Sequence, residues 1–329
     1  MVKKKIAITM GDHGGIGPEV IVKAIFNSNI RDNCHPVVIG DADIIREALT
    51  LSDLPLKVRN VNGITESDLD TGSIDVLDIK PHSSFEKGGP SKNAGEFAVK
   101  YIKKAVELAL QKQVDAIVTA PLSKKSLRMA DFSWPGHTEL IAELTKTENF
   151  AMMFVSDKLK VILSTIHIPI KDVPKHINEK GILNTIKLAT KASVMCGIRS
   201  PRIAVAGLNP HAGESGIMGD EEIKVITPAI NEAKAQGIEV SGPYPPDVVF
   251  YKTLKGEFDM VVCMYHDQGL IPFKMLAFDT GVNVTVGLPI IRTSPDHGTA
   301  FDIAWQNKAD PASMVEAIKL AAKMELNES

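Results

Sequence analysis

Residues 258–274 read FDMVVCMYHDQGLIPFK. The first six, Phe258 to Cys263, form an apolar run of strand length, suited to a sheet covered on both faces. His266, Asp267, Gln268 and Lys274 then come within nine residues. A core strand that opens at once into such a set fits an open α/β sheet, where ligands sit beyond the carboxyl ends of the strands.

Similar apolar runs recur on either side, at 6–10, 37–40, 74–79, 116–120, 151–156, 161–167, 203–207 and 282–289, with 260–264 as the run already met. Helical patterns lie between them. Residues 93–113 place Ala98, Ile102, Ala105 and Ala109 on one stripe, 179–195 and 221–235 behave alike, and Asp310-Pro311 opens a last helix. Strands alternating with helices predict an α/β fold with largely parallel sheets. At 329 residues the chain exceeds one comfortable core, and without a Gly/Ser linker it reads as two lobes.

Composition narrows the class. Hydrophobic residues at 44% and charged residues at 23% are globular values. A net charge of −3 implies no general attraction to nucleic acid or anionic membrane. The apolar segment after the N-terminal lysines is too short for a secretory leader, no run reaches bilayer length, and the odd, scattered Cys34, Cys196 and Cys263 fit a reducing compartment. A cytoplasmic protein is expected.

Most of these strands open into polar segments. The run at 6–10 leads into GDHGGIGPE, 116–120 into PLSKKS, 161–165 into IHIP with His167, 203–207 into LNPHAGESG, and 282–289 into IIRTSPDHG; PGHTE precedes a helix. Six of the nine histidines, His13, His137, His167, His211, His266 and His297, lie in these blocks. The glycine loop is neither a dinucleotide fingerprint nor a P-loop, so it reads equally as a strand-to-helix turn or an anion site. Each histidine alone reads as an ordinary loop residue, since no His-x-x-x-His or Cys-x-x-Cys spacing occurs. Lys274 and Arg292 read alternatively as solvated charges, and Asp247 in GPYPPD as a helix cap. Together, imidazoles for a divalent metal and basic groups for a phosphate or carboxylate suit metal-assisted oxidation of a phosphorylated hydroxy acid, or metal-assisted hydrolysis. A non-catalytic binding protein is the third reading.

The ordered blocks ITMGDHGGIGPE, PGHTELIAELT, LNPHAGESGIMGDEE, YHDQGLIPFK and GVNVTVGLPIIRTSPDHGTAFDIA resemble, essentially end to end, the 4-hydroxythreonine-4-phosphate dehydrogenase family of pyridoxal phosphate (pyridoxine) biosynthesis. The resemblance implies a two-lobed α/β/α fold like isocitrate and isopropylmalate dehydrogenases, with residues 1–127 and 285–329 in one lobe. Residues 128–284 would form the other, carrying most site residues and the dimer interface, with the active site in the interlobe cleft. It implies His167, His211 and His266 as ligands of zinc, magnesium or cobalt, one of them supplied across a homodimer interface. His137, Thr138, Lys274, Asn283 and Arg292 become substrate contacts. For the catalytic base our own reading favours Asp247, with Lys274 second. NAD, with NADP as the alternative, would take hydride from C3 of 4-phosphooxy-threonine, and decarboxylation would give 3-amino-2-oxopropyl phosphate. Similar paralogues oxidise 4-phospho-threonate or 4-phospho-erythronate to dihydroxyacetone phosphate. No residue is assigned to the nicotinamide cofactor. Many members carry Pro-Ala where this chain has His13-Gly14.

Overall fold

A computed structural model describes residues 3–64, 72–80 and 86–326. The chain divides into two compact units, Met1–Glu148 with Leu288–Lys323, and Asn149–Gly287 with Met324–Ser329. The sequence reading places the division at 127 and 285. Residues up to 148 join the first unit because helix His137–Leu144 packs on the long helix Lys92–Leu110.

The strands are β1 (Lys4–Thr9), β2 (Cys34–Gly40), β3 (Lys57–Val61), β4 (Ser73–Asp78), β5 (Ala116–Thr119), β6 (Ala151–Val155), β7 (Lys160–Leu163), β8 (Ile203–Ala206), β9 (Val240–Tyr244), β10 (Met260–Cys263), β11 (Val282–Val286) and β12 (Ile291–Pro295). In the first unit the order is β3-β4-β2-β1-β5-β12, and every pairing is parallel. In the second unit it is β11-β6-β7-β10-β8-β9. There β7, β10, β8 and β9 run parallel, whereas β6 is antiparallel to both β7 and β11. Most of the parallel strands are apolar runs met in the sequence, with Ile6, Ile8, Val118, Val205 and Val261 fully buried. One expectation is corrected here. Arg292 lies not in a loop after a long strand but within β12, every residue of which is buried.

The helices end where their chemistry dictates. Ser91 Oγ accepts from Ala94 N at 3.1 Å and starts helix Lys92–Leu110, whose buried face includes Ala98, Ile102, Ala105 and Ala109. Asn178 Oδ1 does the same for Glu179–Met195 through Gly181 N at 2.9 Å. Asp310 Oδ1 accepts from Ala312 N at 2.8 Å at the head of Ala312–Lys323.

Candidate functional site

In the first unit β1 pairs with β2 on one side and β5 on the other, so the order reverses beside β1. The crevice past such a reversal is where doubly wound sheets bind ligands. The loops leaving β1 and β5 meet there. Asp12 N donates to Pro121 O at 2.9 Å, while the Asp12 carboxylate accepts from Ser126 Oγ at 2.5 Å and from Gly14 N at 3.0 Å. Asp12 and His13 are both 0% exposed. Burial pushes the Asp12 carboxyl up to about 6, against the Ser126 and Gly14 hydrogen bonds. Burial likewise holds the His13 imidazole down to about 4, so it is neutral near pH 7.

Past β5 a second group assembles. Arg292, 2% exposed, donates from Nη2 to Thr119 Oγ1 at 2.7 Å. Burial lowers its pKa to about 10, opposed by the Glu139 carboxylate, so the guanidinium stays charged. His137 and Thr138 are the first residues of helix His137–Leu144. Burial first, and the Arg292 guanidinium second, keep His137 well below the usual histidine range, against a backbone bond at Ala120. Its Nε2 is buried with no hydrogen-bond partner among the described residues. A neutral imidazole, a buried guanidinium and the positive end of a helix form a cluster suited to an anion.

In the second unit β7, β10 and β8 are neighbours and parallel, so the loops after them leave one edge of the sheet. Those loops carry His167, His266 and His211. Hydrogen bonds stitch them together: Thr165 Oγ1 donates to Met264 O at 2.7 Å, Met264 N to Gln268 Oε1 at 2.6 Å, and Gln268 Nε2 to Gly207 O at 2.7 Å. His167 and His266 stand with ring centroids 5.7 Å apart, in an open depression also lined by Ile166, Ile170, Tyr265 and Asp267. Two imidazoles sharing one divalent ion through bonds of about 2.0–2.1 Å have ring centres roughly 5–6 Å apart, so this pair fits a metal. His266 Nδ1 lies 2.6 Å from Asp267 Oδ1. With the proton on Nδ1, that carboxylate orients the ring and leaves the Nε2 lone pair for a ligand bond.

His211 is not brought into the pair within one chain. No group of three His, Cys, Asp or Glu side chains placed to hold a metal occurs among the described residues. His211 is exposed on a turn, Pro210–Gly216, with left-handed backbone at His211 (φ 54°), Ala212 (φ 53°), Gly213 (φ 82°), Glu214 (φ 43°) and Ser215 (φ 56°). Such a conformation costs about 1–2 kcal/mol for each residue with a Cβ. Asn283 lies on β11 with its Oδ1 buried and unpartnered among the described residues. Lys274 is half-buried on helix His266–Ala277, its ammonium 5.8 Å from the Phe278 ring centroid. Asp247 sits exposed in the first turn of helix Pro246–Leu254, past the end of β9, where a carboxylate also favours the helix dipole. Sequence reasoning missed Asp267, Gln268 and Glu222 as supports. Gln268 had a signal, a glutamine in the strand-end loop, but Glu222 heads a helical pattern and looks like ordinary first-turn acidity.

The model of the family described as "Pyridoxal phosphate biosynthetic protein PdxA" matches residues 32–321. A 4-hydroxythreonine-4-phosphate dehydrogenase of Desulforapulum autotrophicum is 46% identical over 320 residues, 96% of this chain and 94% of its own. A D-threonate 4-phosphate dehydrogenase of Salmonella typhimurium is 46% identical over 327 residues, 98% and 100% of the two chains. The crystal structure of a 4-hydroxythreonine-4-phosphate dehydrogenase from Klebsiella pneumoniae matches at a TM-score of 0.89 with 46% identity, covering 97% of this chain and 98% of that one. A family model over most of the length, joined by full-length relatives and the same α/β fold, leaves one conclusion: the chain belongs to the PdxA family of pyridoxal phosphate biosynthetic proteins.

Proposed function

We propose that the protein is an NAD-dependent, divalent-metal-dependent dehydrogenase that oxidises 4-phosphooxy-threonine at C3 and decarboxylates the product to 3-amino-2-oxopropyl phosphate. The observation that carries this reading is the set of three histidines at the ends of three adjacent parallel strands, two of them already at ligand-sharing distance. His167, His211 and His266 would hold the cation, which would polarise the substrate hydroxyl and then the ketone oxygen. Because one chain unites only two of the imidazoles, a homodimer in which a partner subunit supplies the third is part of the proposal. The exposed apolar side chains of the second unit support it: Ile271 and Met275 on helix His266–Ala277, and Phe278 at its end, are 61%, 82% and 72% exposed.

The chain's other residues divide the remaining work. Arg292, with His137 and Thr138 at a helix N-terminus, would grip an anionic group of the substrate. Lys274 and Asn283 would make further contacts, and the unpaired Asn283 Oδ1 and His137 Nε2 suit polar groups awaiting a ligand. Asp247 or Lys274 would accept the hydroxyl proton as hydride leaves C3 for the nicotinamide. The 3-oxo acid then loses carbon dioxide, and the electrons of the broken bond pass towards the ketone oxygen before a proton returns to carbon. No helix among the described residues is long and apolar enough to cross a membrane, and three free thiols accord with a cytoplasmic setting.

A second substrate, 4-phospho-D-threonate, is favoured by the Salmonella typhimurium relative, which matches as closely and over its whole length. It differs in bearing a hydroxyl for the amine at C2. Purified protein with NAD and a divalent metal should reduce nicotinamide on addition of one of the two substrates, with kcat/KM at least tenfold higher for that one. Phosphate release without nicotinamide reduction would instead establish a metallohydrolase and overturn the proposal.

A further inference from the structure

The left-handed turn that carries His211 has a built support. Glu222, 2% exposed, turns its carboxylate into the preceding loop. Its Oε1 accepts from Leu208 N and Asn209 N, both at 2.7 Å, and its Oε2 accepts from Asn209 Nδ2 at 2.9 Å. Asn209 Nδ2 also donates to Glu221 Oε2 at 2.7 Å. Asn209 is the residue from which the turn starts, and its carbonyl accepts from Ala212 N at 3.1 Å. A Cβ on Gly213 would stand 2.7 Å from Glu222 Oε2, so the turn wraps against the carboxylate with no room to spare. Glu222 itself opens a π-helical turn, Glu222–Ile226, a wide-turn geometry that recurs at functional sites.

We infer that Glu222 is a positioning residue, whose buried carboxylate holds the turn at residues 208–216 in its left-handed form and thereby aims His211 at the metal. Three hydrogen bonds to one carboxylate fix the loop at its root, two residues before the imidazole. Beyond Gly213 the turn runs out into exposed residues, 214–218. This inference rests on the reading of His211 as a metal ligand.

The test uses full-length wild type, Glu222→Gln, Asn209→Ala and His211→Ala. In Glu222→Gln one oxygen keeps the two backbone bonds, but an amide hydrogen then faces the Asn209 amide, donor against donor. Hydrogen exchange of peptides over 208–218 in metal-free protein should run at least tenfold faster. Zinc affinity, measured by chelator competition, should weaken by about 10–100-fold, the range for supports of metal ligands. Raising zinc should restore turnover, a rescue that general destabilisation would not give. Asn209→Ala, which leaves Glu222 intact and removes only the side-chain bonds, should move the same readouts by less and serves if Glu222→Gln does not fold. Wild-type exchange and wild-type zinc affinity in both variants, with affinity lost in His211→Ala, would overturn the inference alone. Unchanged zinc affinity in His211→Ala would overturn the metal reading beneath it.

Discussion

Two glycine-rich loops in this chain carry a histidine just beyond a parallel strand, and they have opposite fates. GDHGGIGPE leaves β1 and is buried throughout; Gly14 and Gly15 donate their amides to Asp12, and Ile16 donates to Thr299 O at 3.0 Å. The Trp305 indole donates to His13 O at 3.0 Å, and Trp305 N donates to the Glu19 carboxylate at 2.6 Å. LNPHAGESG leaves β8 and stays largely exposed, fixed at its root by Glu222, with His211 held out on a strained turn. The first loop uses its glycines for close packing: a Cβ at Gly11 would meet Pro121 O at 2.3 Å. The second uses backbone strain to present a side chain. Strain that the surroundings over-determine is the pattern of a ligand-presenting loop, whereas dense burial against neighbouring backbone is the pattern of a turn.

The largest expected effect separates the two histidines. His211→Ala should lower kcat/KM by about 10³-fold or more, roughly 4 kcal/mol, with the urea midpoint unchanged because an exposed ring leaves no cavity. His13→Ala should do the reverse, with a loss of ~2 kcal/mol in urea unfolding from a fully buried position and kcat within a few-fold. Steady-state nicotinamide reduction and urea titration on both variants read the outcome. Equal catalytic losses would mean the buried loop also serves the chemistry, and the contrast drawn from packing would fail.

Sequence reasoning reached the strands whose burial is expressed as Val and Ile, such as β1, β8 and β10, because covering both faces of a parallel strand usually demands apolar side chains. It missed three others. β3 is a half-exposed edge carrying Lys57 and Arg59, whose charges hide the pattern. β9 includes Gly242 and Pro243, tolerable only because it is the last strand of its order. β12 places Arg292, Thr293 and Ser294 in a buried strand, where Arg292 bonds Thr119 and Thr293 bonds Ala317 O at 2.8 Å. A buried strand whose polar side chains find partners such as these inside the fold cannot be told from a loop by composition. The histidine blocks were legible because strand ends are legible. Their supports were less so: Gln268 showed only as a glutamine in the strand-end loop, its bond to Gly207 O hidden 61 residues away, and Glu222 acts on backbone 14 and 13 residues earlier, a pairing that leaves no local trace.

The smallest effect concerns the buried loop alone. The Asp12 pKa rises from 3.8 to about 6, so its contribution to stability is full below about pH 4 and is lost as pH climbs through 6. The His13 pKa falls from 6.5 to about 4, so its contribution is full above 6.5 and is lost as pH drops through 4. Between pH 4 and 6.5 the two slopes oppose, each on the order of 3 kcal/mol at most, and largely cancel in the wild type. Asp12→Asn keeps an acceptor for Gly14 N and a partner for Ser126 while removing the titration. Its stability relative to wild type should therefore increase from pH 4 to 6.5, and its own curve should fall towards acid with the His13 slope uncovered. Urea unfolding at half-unit steps across that window reads the difference. Parallel curves for variant and wild type would mean Asp12 is as well solvated as in an unfolded chain, and the loop after β1 would then be open to ligands in the way the loop after β8 is.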